Sequence, residues 1–304
     1  MEKALRLPRR LRTIVILSHD CDILRGNDHW TQMIRFYRML SPVLKGKAPD
    51  FHQLSWIGEN LIHPRRYYFD DVSGYMELER AAGFQSVFYA LNGRHGRFGA
   101  RSGSQISREL ASFVTEPFEL GMHYNHDTFL NPSAFELQRK TLETWSGRPI
   151  RSGRAHYLRF DPLRSPAFLE NQGIQFDESV GFPDRIGFRM GIAGVIRLFD
   201  VIHKSTTRTL ECPIAVMDSA LVHQFGKNSV ATFEELVRHI AHVGGIVSLL
   251  FHPGCLRNPE YPELNGLYPR LLDVLAKHGF ESTTPSRMIA EVRAYEALGG
   301  SKHE

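Results

Sequence analysis

An apolar, β-branched run, Thr13-Ile14-Val15-Ile16-Leu17, leads straight into Ser18-His19-Asp20-Cys21-Asp22, and this junction constrains the fold more than any other stretch. Such a run reads as a short strand buried on both faces, as in a parallel sheet. Ligands of parallel sheets and barrels bind beyond the carboxyl ends of the strands. Here two carboxylates and an imidazole arrive at that end within four residues. Asp20 and Asp22 are two apart, so an extended backbone points them to one side. Two carboxylates that close want a cation, a shared proton or an arginine. The plain alternative is that one of them caps the next helix.

The rest of the chain repeats the pattern. Strands are expected at Phe84–Leu91, Phe118–Met122, Ile174–Phe176, Pro213–Met217 and Ile246–Phe251. Helices are expected at Tyr75–Ala82, Ile106–Thr115, Ala134–Thr144, Pro166–Gln172, Phe233–His242, Leu267–Lys277 and Pro285–Ala297. Gly83 and Gly147 close two of these helices, and Asn131-Pro132-Ser133 opens one. Short strands alternating with helices argue for an α/β fold with a parallel sheet. Polar residues fall directly after the strands: Asp20 and Asp22, His123, Asp218 and His252, with Arg154 after Ile150. A barrel brings such positions together at one face.

With 304 residues the chain is long enough for one large α/β domain. We expect a single domain over 1–304, with a peripheral insertion at 24–76. That insertion holds a helical pattern at Trp30–Leu44 and an aromatic stretch at 51–75, including Trp56, Tyr67, Tyr68 and Phe69, which suits either packing or sugar stacking. The net charge of +4 is small for this length, and much of it lies in the arm at 1–12. No basic stripe is interleaved with stacking aromatics, so nucleic acid is not an expected partner. No run approaches a membrane span. The apolar run after the basic arm is too short for a signal peptide. Cys21, Cys212 and Cys255 have no metal-type spacing and read as free thiols, so a cytoplasmic location is expected.

Two motifs carry further chemistry. In His123-Tyr124-Asn125-His126-Asp127, a helical turn would put positions 123 and 127 on one face. With Asp22 they would form an N/O set that a divalent ion such as Zn²⁺ accepts, with His126 competing against Asp127 for the third place. Arg154 beside Asp20 would hold that carboxylate ionised as a base. His252, at the end of the most apolar strand, suits a general acid for a leaving amine.

The ordered set Asp20-x-Asp22, His123-x3-Asp127, Arg154-x-x-Tyr157 and Leu250-x-His252 resembles the polysaccharide deacetylase superfamily, that is, the NodB-homology enzymes of carbohydrate esterase family 4. The stretches Arg154–Phe160, Val180–Arg189 and Leu249–His252 are similar to a bacterial branch associated with surface-polysaccharide biosynthesis. The resemblance implies a distorted (β/α)7 barrel and metal-dependent removal of acetyl from an N-acetylated sugar, glycan or carrier-linked saccharide. It implies Asp20 as general base, Asp22, His123 and position 127 as metal ligands, and Arg154 orienting Asp20. It also implies the backbone at Tyr157 as an oxyanion donor, and His252 as general acid backed by Asp184 or Asp218. The chain departs from the family pattern in carrying Asp127 for His, and His156 for the Pro of the third motif. A catalytically silent carbohydrate-binding or assembly protein, or an allantoinase-like amide hydrolase, are the alternatives.

Overall fold

The computed structural model describes residues 13–22, 29–49, 54, 57–58, 62, 69–93, 104–256 and 262–297. The arm at 1–12, most of the aromatic stretch with Trp56, Tyr67 and Tyr68, and most of the loop expected at 92–104 lie outside them. The strands are β1 (Thr13–Cys21), β2 (Ser86–Ala90), β3 (Glu119–Tyr124), β4 (Ser152–Ala155), β5 (Phe176–Asp177), β6 (Ile196–Asp200), β7 (Ser205–Glu211), β8 (Ile214–Met217), β9 (Gly245–Leu250) and β10 (Glu281–Ser282). The helices are α1 (His29–Leu40), α2 (Phe69–Ala81), α3 (Ser104–Phe113), α4 (Pro132–Ser146), α5 (Ser165–Asn171), α6 (Asp218–Phe225), α7 (Ser229–Val243), α8 (Leu267–Lys277) and α9 (Pro285–Ala297).

The sheet runs β6-β7-β5-β4-β3-β2-β1-β9-β8, with β10 also pairing β1. Every described pairing is parallel except the β6–β7 hairpin. Beyond β5 the chain leaves β7, and Gly181 bridges Ile214 of β8 in parallel. Strands β8, β9 and β1 to β5 thus curl into the distorted (β/α)7 arrangement expected from the sequence. The β6–β7 hairpin was not expected. Arg197 interrupts Ile196–Asp200, and Ser205–Glu211 is mostly hydroxyl-bearing and charged, so no apolar run marks it.

Strand β1 shows how sequence sets the layers. It is buried on both faces, and alternate residues enter different packing groups. Ile14 and Ile16 join Phe176, Leu210, Ile246 and Met288. Val15 and Leu17 join the larger cluster with Phe88, Leu120 and Val247. By the same alternation Ser18 and Asp20 continue the side of Ile14 and Ile16. That side is apolar at the start of the strand and polar at its end. The strand also runs to Cys21, four residues past the apolar run, paired with Tyr89 and Ala90 of β2. Asp20 therefore sits inside the sheet rather than in a loop after it.

Close approach of β3 and β4 depends on glycine. A Cβ on Gly153 would lie 2.2 Å from Tyr124 Cε1 and 2.5 Å from the Met122 carbonyl oxygen. Backbone cannot yield as a side-chain tip can. Gly153→Ala is expected to destabilise the fold by about 3 kcal/mol, read as a lower urea midpoint. An unchanged midpoint would show that β3 and β4 lie further apart.

Candidate active site

The floor of the site is a buried guanidinium. Arg154 on β4 has no exposed surface. Its Nη1 donates to Asp20 Oδ1 at 2.7 Å, its Nη2 to Ser18 Oγ at 2.8 Å, and its Nε to the Glu178 carbonyl at 3.0 Å. The guanidinium lies over the Tyr89 ring, 4.8 Å from its centroid. The Glu178 carboxylate accepts from Tyr89 and Ser248, both at 2.5 Å, and stands 3.3 Å from Arg154 Nη2. Burial works against the Arg154 charge, but Asp20 and Glu178 overcome it and hold the group protonated. Five strands or strand ends thus converge on one cation whose partners are themselves anchored. Glu178 was not among the expected site residues. Its signal was the same as for the others, a carboxylate just after an apolar strand.

Above this floor lies a cluster of three potential ligands. His123 Nε2 is 2.8 Å from Asp22 Oδ1 and 3.7 Å from Asp20 Oδ2, and His156 Nε2 is 3.4 Å from Asp22 Oδ2. One donor atom from each of Asp22, His123 and His156 falls within 4.8 Å of the others. His123 Nδ1 donates to the Arg154 carbonyl at 3.0 Å. Nδ1 is thus the fixed donor, and Nε2, which faces Asp22, is the nitrogen that gives up a proton to become a ligand. His123 Nε2 and Asp22 Oδ1 are both buried and neither has a hydrogen-bond partner. They touch, but outside hydrogen-bond geometry. Burial would raise the Asp22 carboxyl, yet His123 and His156 hold it well below the usual carboxylate range. Burial likewise opposes charge on His123, and Asp20 and Asp22 override it to raise its pKa. The field at this point favours a positive charge. Two imidazoles and a carboxylate, with His123 Nε2 and Asp22 Oδ1 lacking a hydrogen-bond partner, fit a divalent ion such as Zn²⁺.

The third member of that cluster differs from the one expected. His123 belongs to a strand, not a helix, so positions 123 and 127 do not share a face. Asn125 then caps a 3₁₀ turn at His126–Thr128 by accepting from the His126 amide. Asp127 is exposed and accepts from Gln138 Nε2 at 3.0 Å. His126 is exposed beside Arg159, whose Nη1 is 3.1 Å from its Nε2. Neither reaches Asp22. His156 does, because it directly follows β4 and precedes a turn in which Tyr157 and Leu158 are left-handed, with φ of 59° and 50°. The Tyr157 ring is 60% exposed and stacks on His156 at 4.1 Å.

On the other side of the site, His252 Nδ1 is 2.9 Å from Asp218 Oδ2, and the His252 amide donates to the same oxygen at 2.6 Å. Asp218 begins α6, directly after β8. Burial opposes the imidazolium, but Asp218, with help from Asp20 and Asp22, lifts His252 to about 10. Asp184, the other carboxylate considered for His252, is exposed and pairs with Arg185 at 3.2 Å. The loop bearing His252 is pinned from α2, an element of the expected insertion. Tyr75 donates to the His252 carbonyl at 3.0 Å, and Asp71 accepts from the Gly254 amide at 2.6 Å. Next to the site on the outer face of β1, His19 stacks on Tyr75 and Phe88 and contacts Glu79 at 2.8 Å. These supports escaped the sequence because they lie within ordinary helical patterns.

No protein-family model matches the chain, and no curated protein sequence matches it. Solved structures do. A protein from Mycobacterium smegmatis assigned as a polysaccharide deacetylase superposes with a TM-score of 0.59 at 13% identity, covering 97% of this chain and 95% of that one. This chain has the polysaccharide deacetylase fold. The Puue allantoinase shares it, with a TM-score of 0.60 at 11% identity, covering 99% of this chain and 96% of that one. In this deacetylase fold, Asp20, Asp22, His123, Arg154, His156 and His252 all lie at the C-terminal ends of the strands. No helix among the described residues is long and apolar enough to cross a membrane.

Proposed function

We propose that this chain is a metal-dependent hydrolase that removes the acetyl group from an N-acetylated sugar in polysaccharide or glycoconjugate biosynthesis. One observation carries the reading. Two proton-handling pairs, Asp20 with Arg154 and His252 with Asp218, stand beside the three-ligand cluster of Asp22, His123 and His156. Amide hydrolysis needs a base for the attacking water, a place for the oxyanion and an acid for the leaving nitrogen. Asp20 takes the water proton on Oδ2, since Arg154 holds Oδ1. The backbone N–H at Tyr157 receives the oxyanion. His252 gives its proton from Nε2 to the nitrogen, because Asp218 occupies Nδ1. A divalent ion, with Zn²⁺ the first choice, supplies water activation and carbonyl polarisation when bound. The three free, buried cysteines fit a cytoplasmic protein.

The deciding experiment is acetate release from N-acetylglucosamine oligomers and nucleotide-linked N-acetyl sugars, with Zn²⁺ added and with chelator. Acetate released only with metal supports the reading. Hydrolysis of allantoin without acetate release from any sugar would move the chain to a different amide substrate. Stoichiometric Zn²⁺ binding without hydrolysis of either substrate class would leave a binding protein.

The acid has its own test. Asp218→Asn removes the charge that lifts His252, so the imidazolium is lost at lower pH. The alkaline limb of the kcat/KM profile is expected to move down by at least one pH unit, toward the ordinary histidine value near 6.5. An alkaline limb that stays in place would assign the acid to another group.

A further inference from the structure

Helix α1 carries an apolar stripe that no described part of the fold covers. Met33 is 52% exposed, Phe36 54%, Tyr37 65% and Leu40 39%. Their spacing of i, i+3, i+4 and i+7 puts them on one helical face. Val43 and Leu44, in the turn that follows, are 46% and 81% exposed. The opposite side of the helix is buried through Arg35 and Met39. Other large apolar side chains are exposed elsewhere, such as Leu137 and Ile202, but six within residues 33–44, four of them on one helical face, make a patch rather than scatter.

Charge selects the occupant. Between Asp28 and Asp50 the chain has no acidic residue, while Arg38, Lys45 and Lys47 are exposed. Lys45 and Lys47 are exposed, and neither has a carboxylate partner among the described residues. A protein partner or a second copy could cover an apolar stripe, but neither calls for a segment stripped of acids. An amphipathic helix with aromatic and aliphatic residues on one face and lysines at its end fits the headgroup region of an anionic lipid surface. We propose that residues 33–47 dock the protein on such a surface. Helix α1 begins seven residues after Asp22, so its first residue lies within about 25 Å of the Asp22 backbone. The proposal holds whether or not the site hydrolyses an N-acetyl group.

The test is co-sedimentation of the full chain with vesicles of phosphatidylcholine alone or with phosphatidylglycerol added. Binding to the anionic vesicles is expected to exceed binding to neutral ones at least tenfold and to weaken in high salt. Phe36→Glu with Tyr37→Glu is expected to lower it more than tenfold, and Lys45→Glu with Lys47→Glu severalfold. All four side chains are exposed, so unchanged thermal unfolding of both variants serves as the folding control. Absent vesicle binding at low salt would overturn the proposal. So would a dimer in analytical ultracentrifugation that Phe36→Glu dissociates, with no vesicle binding, which would make the stripe a self-interface.

Discussion

His156→Ala is expected to weaken Zn²⁺ binding by at least a hundredfold, whereas Asp127→Ala changes it by less than twofold. Loss of a residue that only orients a ligand costs 10–100-fold in affinity, and losing one of three ligands costs at least the upper end. His156 Nε2 faces Asp22 Oδ2 at 3.4 Å, while the Asp127 carboxylate is engaged by Gln138 outside the cluster. Calorimetric titration with Zn²⁺ reads the difference directly, without any substrate. Thermal unfolding gives a second readout, because a ion that binds only the folded chain raises its stability with concentration. The wild type and Asp127→Ala should gain the same increment from Zn²⁺, and His156→Ala should gain little. Binding should also release protons, since His123 is raised by its two carboxylates before the ion arrives. Equal affinities for the wild type and His156→Ala would mean that the ion, if bound, sits elsewhere.

That contrast shows where the sequence was legible. Strand positions were readable because burial on both faces forces an apolar run, and β9 and β1 are the most apolar runs in the chain. Helix ends were readable where chemistry marks them, as at Asn131, whose side chain accepts from the Ala134 amide, and at left-handed Gly147. The polar residues at strand ends were readable because they recur after several apolar strands, and helix capping accounts for one such residue but not for the whole set. Side-chain direction was not readable. Counting His123 and Asp127 as one helical face assumed a turn where β3 continues to Tyr124. The same uncertainty hid His156: only the left-handed pair at Tyr157 and Leu158 shows that the chain reverses there, and non-glycine residues seldom announce that conformation. Glu178, Asp71 and Tyr75 act through tertiary contacts that span up to 185 residues in the chain, and no local pattern encodes those.

Asp20→Asn and Arg154→Met separate catalysis from architecture, and they are expected to fail in opposite ways. Asparagine keeps the shape of Asp20 and can still accept from Arg154 Nη1 through its carbonyl oxygen. Arg154 also retains Glu178, Ser18 and the Tyr89 ring. Stability should therefore fall by only about 1–2 kcal/mol, and Zn²⁺ binding should persist. Acetate release should drop about a thousandfold, within the range for loss of a general base. Arg154→Met instead leaves Asp20 and Glu178 buried without their cation. The expected loss is about 3–5 kcal/mol, read as a fall in the urea midpoint before any assay is run. If Asp20→Asn kept activity within tenfold of wild type, the base would have to be another group. If Arg154→Met kept the wild-type midpoint, the buried guanidinium would not be what holds the strand ends together. The two variants share one hydrogen bond of 2.7 Å. In the proposed hydrolysis its carboxylate end serves the reaction, and its guanidinium end serves the barrel that places the carboxylate.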